Sequence, residues 1–135
     1  MNTINFYDKE RNLIIQLKDF QFVKTEALKI VTFKGKVDFD FFHIETNFEA
    51  EEYDFTNLQL SLEKMYNGEQ NYISFNPFSG KLTLKLSEEG SQIKIKGEVY
   101  NDLSTCKLEF KYNIDQSFIP ELIKELKEMM MREDM

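Results

Sequence analysis

The chain has 135 residues, of which 41% are hydrophobic and 30% charged, and its formal net charge is −7. This length predicts a single domain over residues 1–135, large enough to bury a core without a disulfide or a metal site. The acidic balance argues against binding the phosphate backbone of nucleic acid, which requires a basic face.

The chain carries no signal that would direct it into a membrane. No apolar run approaches the ~20 residues that cross a bilayer. The first residues have neither the basic segment nor the apolar run of a signal peptide. Cys106 is the single cysteine, so an internal disulfide is excluded. These observations predict a cytoplasmic protein that does not bind a membrane.

Alternating apolar and polar residues predict strands in the first third of the chain. The strands are expected at residues 4–6, 13–18, 27–34 and 37–50. Gly35 would close the third strand. In the fourth and longest, apolar and acidic positions change parity near Phe41 and Phe42. This change predicts either a bulge or a strand end that is covered on both faces.

A helix is predicted next, because apolar residues recur at spacings of three and four. The stripe consists of Phe55, Leu58, Leu62 and Met65. Asp54 or Thr56 could cap its start, and Gly68 could end it after Asn67.

Four more strands and a closing helix complete the predicted fold. The strands are expected at residues 71–75, 82–87, 93–99 and 106–114, and the helix at 118–131. The last three strands each have one apolar face and one polar face, which is typical of an antiparallel meander. The sequence therefore predicts an α+β fold: an antiparallel, strongly curved or sandwich-like β-sheet of about eight strands with two amphipathic helices.

The strongest functional signal is an acidic segment, residues 37–54. It holds seven of the 24 acidic residues and no lysine or arginine, so the remaining 17 acids balance the 17 bases. The whole formal charge of the protein thus falls in one stretch of sequence. A concentrated negative field attracts a basic partner and repels nucleic acid.

The predicted partner-binding surface combines acids of this segment with an amide and two aromatic residues. Its members are Asp38, Phe39, Asp40, Phe41, Glu45, Asn47, Glu49, Glu51 and Glu52. The expected partner is a basic protein. The plainer interpretation of the same residues is an acidic strand face that is only solvated.

Candidate catalytic residues are few. His43 could act as a general base beside Glu45, or bind a metal with Asp38 and Asp40, but an ordinary strand residue is the simpler interpretation. Cys106 could be a nucleophile only with a base beside it, and its alternation with Leu108 predicts an inward-facing, inert side chain. We therefore expect no enzymatic activity, no cofactor and no metal site.

Two other functions stay open at this stage. A hydrolase could use Glu45 and Glu49 if their carboxylates converged in a pocket. A carrier of a small ligand or lipid would explain the 13 phenylalanines if they lined an enclosed apolar cavity.

The C-terminal third carries a more specific signal. It contains the stretch Lys94–Tyr100 (KIKGEVY), the stretch from Leu108 that ends in Asp115-Gln116-Ser117-Phe118, and the helix starting at Ile119. With the preceding long strand and central helix, this pattern resembles the WapI-type immunity proteins and their uncharacterised bacterial relatives over about residues 36–130. Those proteins carry a tryptophan in the long strand, which Phe41 or Phe42 would replace here.

The resemblance implies a non-catalytic cytosolic protein that binds and neutralises a toxin domain, commonly a nuclease. A nuclease needs a basic surface to hold its substrate, and an acidic inhibitor can occupy that surface.

Overall fold

The structure is a computed structural model that describes residues 2–77, 81–101 and 103–131. Its strands are β1 (Ile4–Tyr7), β2 (Leu13–Lys24), β3 (Lys29–Phe39), β4 (Phe42–Glu51), β5 (Tyr72–Phe75), β6 (Leu82–Glu89), β7 (Gln92–Tyr100) and β8 (Lys107–Asp115). Its helices are α1 (Glu52–Tyr66) and α2 (Ile119–Met131), the latter preceded by a short 3-10 turn, Gln116–Phe118.

The strands form two antiparallel sheets of four, each in sequential order. Sheet 1 is β1-β2-β3-β4 and sheet 2 is β5-β6-β7-β8. Each sheet is followed directly by a helix, so the chain repeats one pattern of four strands and a helix. This confirms the α+β fold, the antiparallel pairing and the two helices. The strands are divided between two sheets, and neither closes into a barrel.

The core lies where the two sheets and the two helices meet. As the alternation predicts, Leu82, Leu84 and Leu86 of β6 are buried. The apolar stripe of α1 is also buried, and so are four residues of α2: Ile119, Leu122, Leu126 and Met129. Such stripes bury their apolar surface because this removes it from water, at roughly 25 cal/mol per Å².

The prediction of one strand over residues 37–50 is wrong at its start. Val37 and Phe39 end β3, and β4 begins at Phe42. Asp40 and Phe41 form the intervening turn, and Asp40 has a φ of 59°. Two-residue hairpin turns favour such left-handed residues, and aspartate adopts that conformation more readily than most. The change of parity in the sequence therefore marks a hairpin and not a bulge.

Gly35 does not close a strand but lies in the middle of β3. A β-carbon at this position would collide with the ring of Phe48 from β4. The same arrangement occurs in sheet 2, where a β-carbon on Gly97 of β7 would collide with the ring of Phe110 from β8. Because each glycine has no side chain, an aromatic ring from the neighbouring strand can lie directly over its backbone.

Cys106 also departs from its prediction. It is exposed and lies in the loop before β8, which begins at Lys107. The expectation of an inward-facing thiol is wrong because the strand alternation starts after this residue.

Strand β1, at one edge of sheet 1, is covered by α2. The backbone N–H of Asn5 in β1 donates to Oε1 of Glu125 at 2.9 Å, and the Asn5 side-chain amide donates to Oε2 at 2.8 Å. Gln16 of β2 in turn donates to Asn5 Oδ1 at 3.0 Å. The helix carboxylate therefore satisfies a backbone donor on an edge strand that would otherwise invite pairing with another chain.

Replacing Gly97 with alanine should destabilise the fold. Replacing a glycine within a strand by alanine normally raises the stability of the fold, because glycine loses more conformational entropy on folding. Here the added methyl group meets the ring of Phe110, so we expect a loss of about 1–3 kcal/mol in the free energy of unfolding. Urea denaturation measures it. The double variant Gly97→Ala/Phe110→Leu should recover part of the loss; an alanine variant as stable as wild type would contradict the close approach.

Glu125 should make stability pH-dependent. Its partial burial raises the pKa of this carboxyl, although Asn5 opposes the shift. A raised pKa in the folded state means that its stabilising contribution is complete below the ordinary carboxyl range and is lost as pH rises through the folded pKa. Glutamine accepts the Asn5 N–H but does not titrate. From about pH 4 to about pH 7, wild type should lose stability relative to Glu125→Gln.

The control for this experiment is Glu26→Gln, an exposed position in the loop between β2 and β3. Its unfolding free energy should follow that of wild type across the pH range. A stability difference between wild type and Glu125→Gln that stays constant with pH would contradict the assignment.

Candidate acidic partner-binding surface

The acidic segment does not form one compact patch. It runs from the end of β3 through the turn, along β4 and into the start of α1. At about 3.3 Å per residue, the ten residues of β4 alone extend over roughly 30 Å. The predicted partner residues therefore fall into three regions: the hairpin tip (Asp38 to Phe41), the outward face of β4 (Glu45, Asn47 and Glu49), and the start of α1 (Glu51 and Glu52).

The outward face of β4 lies beside lysines. Glu45 pairs across the strands with Lys36, and Asn47 with Lys34. The Nζ atoms of Lys18 and Lys34 lie 3.9 Å and 3.8 Å from Oε1 of Glu45. These contacts are partly exposed, so they contribute little to stability. They do weaken the negative field that the sequence alone suggests.

These lysines were missed because they belong to β2 and β3, not to the acidic segment. Strand pairing brings them alongside β4. A signal was present in the sequence, since Lys34 and Lys36 alternate with inward residues of β3 just as Glu45 and Glu49 do in β4. The pairing register was needed to place them opposite each other.

The hairpin tip exposes aromatic side chains. The side chain of Phe41 is 95% exposed and that of Phe42 is 59% exposed. Phe39 differs, because its ring packs against those of Phe110 and Tyr112, with centroids 5.6 Å and 6.4 Å away. The hydroxyl of Tyr112, the second of these contacts, is shielded from water, and this burial raises its pKa. Of the two predicted aromatic partner residues, Phe41 faces solvent and Phe39 lies at the edge of the core.

His43 and Asp38 lie together just behind the tip. Nδ1 of His43 contacts a carboxylate oxygen of Asp38, and its Nε2 is 3.9 Å from Glu45. Lys36 reaches the other carboxylate oxygen of Asp38 at 3.8 Å. Among the described residues, no group of three or more histidine, cysteine, aspartate or glutamate side chains is arranged to hold a metal ion.

The acidic residues at the start of α1 stabilise the helix and its contact with β3. Glu51 is the residue before the first helical turn, and its backbone N–H donates to Oδ2 of Asp54 at 2.9 Å. Asp54 is therefore a member of a capping box and not the capping residue itself. Glu52 forms an ion pair with Lys29 at 3.7 Å. The negative charges of these acids lie near the N-terminus of α1, where they interact favourably with the positive end of the helix dipole.

A shallow groove lies beside these residues. It has a volume of about 320 Å³ and is lined by Leu28, Tyr53, Glu51 and Glu52 among others. The side chain of Tyr53 is 68% exposed and that of Leu28 is 44% exposed.

The geometry does not bring Glu45 and Glu49 together as a catalytic pair. They are four residues apart on one strand, which separates them by roughly 13 Å. Carboxylate pairs of glycosidases lie about 5–9.5 Å apart. Glu49 lines a depression of about 660 Å³ together with Asp19, Lys34 and Lys81, whereas Glu45 does not.

The phenylalanines fill the core more than they line a cavity. Among the described residues, six of them are buried: Phe6, Phe33, Phe48, Phe55, Phe75 and Phe110. The depression of about 660 Å³ has charged side chains in its wall, which does not suit a purely apolar ligand. No helix within residues 2–77, 81–101 and 103–131 is long and apolar enough to span a bilayer.

Comparison with known proteins identifies the family. Residues 4–133 match the model of the immunity protein WapI-like family. The match covers nearly the whole chain, and the protein therefore belongs to this family. No match was found among the curated proteins.

Three solved structures are remotely similar. They are the MRP1/MRP2 structure of Trypanosoma bruciei (8% identity, 98% of this chain and 84% of that chain, TM-score 0.47), the plant transcriptional regulator PBF-2 (11%, 95% and 86%, 0.49) and WHY1 from Arabidopsis thaliana (15%, 84% and 73%, 0.47). These similarities are too distant to support an argument about this protein.

Proposed function

We propose that this protein is a non-catalytic, cytoplasmic immunity protein that acts as a single domain. It binds and neutralises a toxin domain with a basic, nuclease-like surface. Its partner is thus a protein, and not nucleic acid or a membrane. Membership of the WapI-like immunity family over residues 4–133 is the observation that carries this proposal.

The charge distribution supports a basic partner. The protein has a net charge of −7, and a toxin that acts on nucleic acid must present a positive surface to its substrate. Opposite fields raise the rate of association and favour the correct orientation of the two proteins. The outward carboxylates of β4 face lysines, so the field of the whole protein contributes more than this strand alone.

The hairpin tip supplies the proposed anchor. Phe41 is almost fully exposed, and leaving a large aromatic side chain in water at a turn gains nothing for the fold. Binding hot spots are typically aromatic side chains that enter a pocket of the partner and are ringed by polar residues. Asp38 and Asp40 flank the tip and would give it a preference for basic pockets.

Catalysis is less well supported than binding. The separation of Glu45 from Glu49 does not suit a carboxylate pair, and His43 is exposed on a strand beside Asp38. Cys106 is exposed in a loop. We therefore expect the protein to act by occupying its partner's surface.

The function is tested by identifying the reading frames that flank this gene and expressing any toxin domain that they encode. Co-expression should restore growth of cells that carry this domain, and the two proteins should form a complex. Because the partner is expected to be basic, the association rate should fall by an order of magnitude or more when salt is raised from about 0.01 M to about 0.15 M. Failure to protect would contradict the immunity function, whereas protection with a salt-independent association rate would contradict only the electrostatic mode of binding.

Phe41→Ala should separate binding from folding. The side chain is exposed, so the free energy of unfolding should change by less than about 0.5 kcal/mol. As a buried anchor in the complex it should contribute at least about 2 kcal/mol, equivalent to a roughly 30-fold weaker complex. Leu103→Ala, at an 80% exposed position in another loop, is the control and should bind as wild type does. Equal affinities of wild type and both variants would exclude the tip from the interface.

A further inference from the structure

Sheet 2 carries a row of three lysines on its exposed face. Lys85 of β6 pairs across the strands with Lys96 of β7, and Lys96 pairs with Lys111 of β8. All three are exposed. Neighbouring strands are about 4.8 Å apart, so the row extends over roughly 10 Å. We refer to Lys85, Lys96 and Lys111 as the basic row.

The fold gains nothing from this arrangement. Like charges directly opposite each other on neighbouring strands are destabilising. Other lysines of this sheet have partners: Lys94 lies 3.8 Å from Glu89, and Lys107 lies 2.7 Å from Glu109. Within the part of the chain that the structure describes, no carboxylate lies within ion-pair distance of the basic row.

Two further features adjoin the basic row. Lys96 and Lys111 help to line a groove of about 620 Å³, whose wall also contains Glu98, Glu109, Phe39 and Phe110. Two positions along the strands, a second cross-strand pair places Glu98 opposite Glu109. This face therefore presents the basic row and, about 7 Å away, an acidic stripe of these two glutamates, of which Glu109 is paired with Lys107.

We propose that the basic row forms a second docking surface, which binds an acidic segment of a protein partner. An extended segment places same-face side chains about 7 Å apart, so two carboxylates would fit along the three lysines. Each carboxylate would relieve repulsion between neighbouring ammonium groups. The basic row lies on sheet 2, whereas the acidic residues of β4 belong to sheet 1.

The adjacent acidic stripe favours a protein over nucleic acid. A polynucleotide is uniformly negative, and its backbone would meet Glu98 and Glu109 wherever it left the basic row. A polypeptide can place an acidic side chain over the lysines and a basic or neutral one over the glutamates. Charge complementarity of this kind determines the partner and the register more than it adds affinity.

Binding is tested by NMR titration with two probes at low salt. The first is a synthetic peptide with glutamate at every second position, separated by threonine, and the second is single-stranded oligodeoxythymidylate. The peptide should shift the amide resonances around Lys96 and Lys111. The triple variant Lys85→Gln/Lys96→Gln/Lys111→Gln should weaken peptide binding roughly tenfold or more.

The matched control is Lys9→Gln/Lys24→Gln/Lys124→Gln, which removes the same charge from exposed positions elsewhere. It should bind the peptide as wild type does, within about twofold. Equal loss in both variants would show attraction to the net charge alone, and the absence of peptide binding to wild type would also overturn the proposal. So would tighter binding of the oligonucleotide that depends on the basic row.

A single variant gives a second, independent measurement. Lys96→Glu places a carboxylate between Lys85 and Lys111, so the thermal midpoint should rise while the peptide binds several-fold more weakly. A lower midpoint or unchanged peptide affinity would contradict the proposal. A higher thermal midpoint together with weaker peptide binding is expected only if the basic row destabilises the fold and contributes to binding.

Discussion

The ring of Phe55 holds the two sheets together. It contacts Phe20 and Phe33 of sheet 1 at centroid distances of 5.9 Å and 5.4 Å, and Phe75 of sheet 2 at 5.4 Å. Phe55 lies in the first turn of α1, directly after β4. Fully buried aromatic side chains contribute several kcal/mol each to stability. Because α1 begins directly after β4, the packing of this ring also anchors the end of the acidic strand to the core.

Side-chain periodicity predicted most of the fold. The three-and-four spacing of Phe55, Leu58 and Leu62 identified α1, and alternation identified β6, β7 and β8. Both signals come from neighbours in sequence, which is why they are readable without a structure. The hairpin at Asp40 was missed because it lacks the glycine that usually marks such turns. The role of Gly35 depends on a ring supplied by β4, which local sequence does not reveal.

The candidate site was less predictable than the fold. The acids of residues 37–54 are contiguous in sequence, but the charge at any surface point depends on all strands that meet there. Lys18 and Lys34 reach Glu45 only through the pairing of β2, β3 and β4. Exposure separated Phe41 from Phe39 in the same way: the two residues share a parity, but the turn leaves one in solvent and the ring contact with Phe110 holds the other.

The net charge of a segment also does not predict the charge at each point of its surface. The C-terminal meander is nearly balanced in sequence, but its register gathers Lys85, Lys96 and Lys111 into one row and pairs Glu98 with Glu109 in the next. Shifting one strand by two residues would place lysine opposite glutamate and remove this repulsion, but it would also move Gly97 away from Phe110. The approach of that ring to the glycine therefore fixes the register, and the charge pattern on the outer face follows from packing on the inner one.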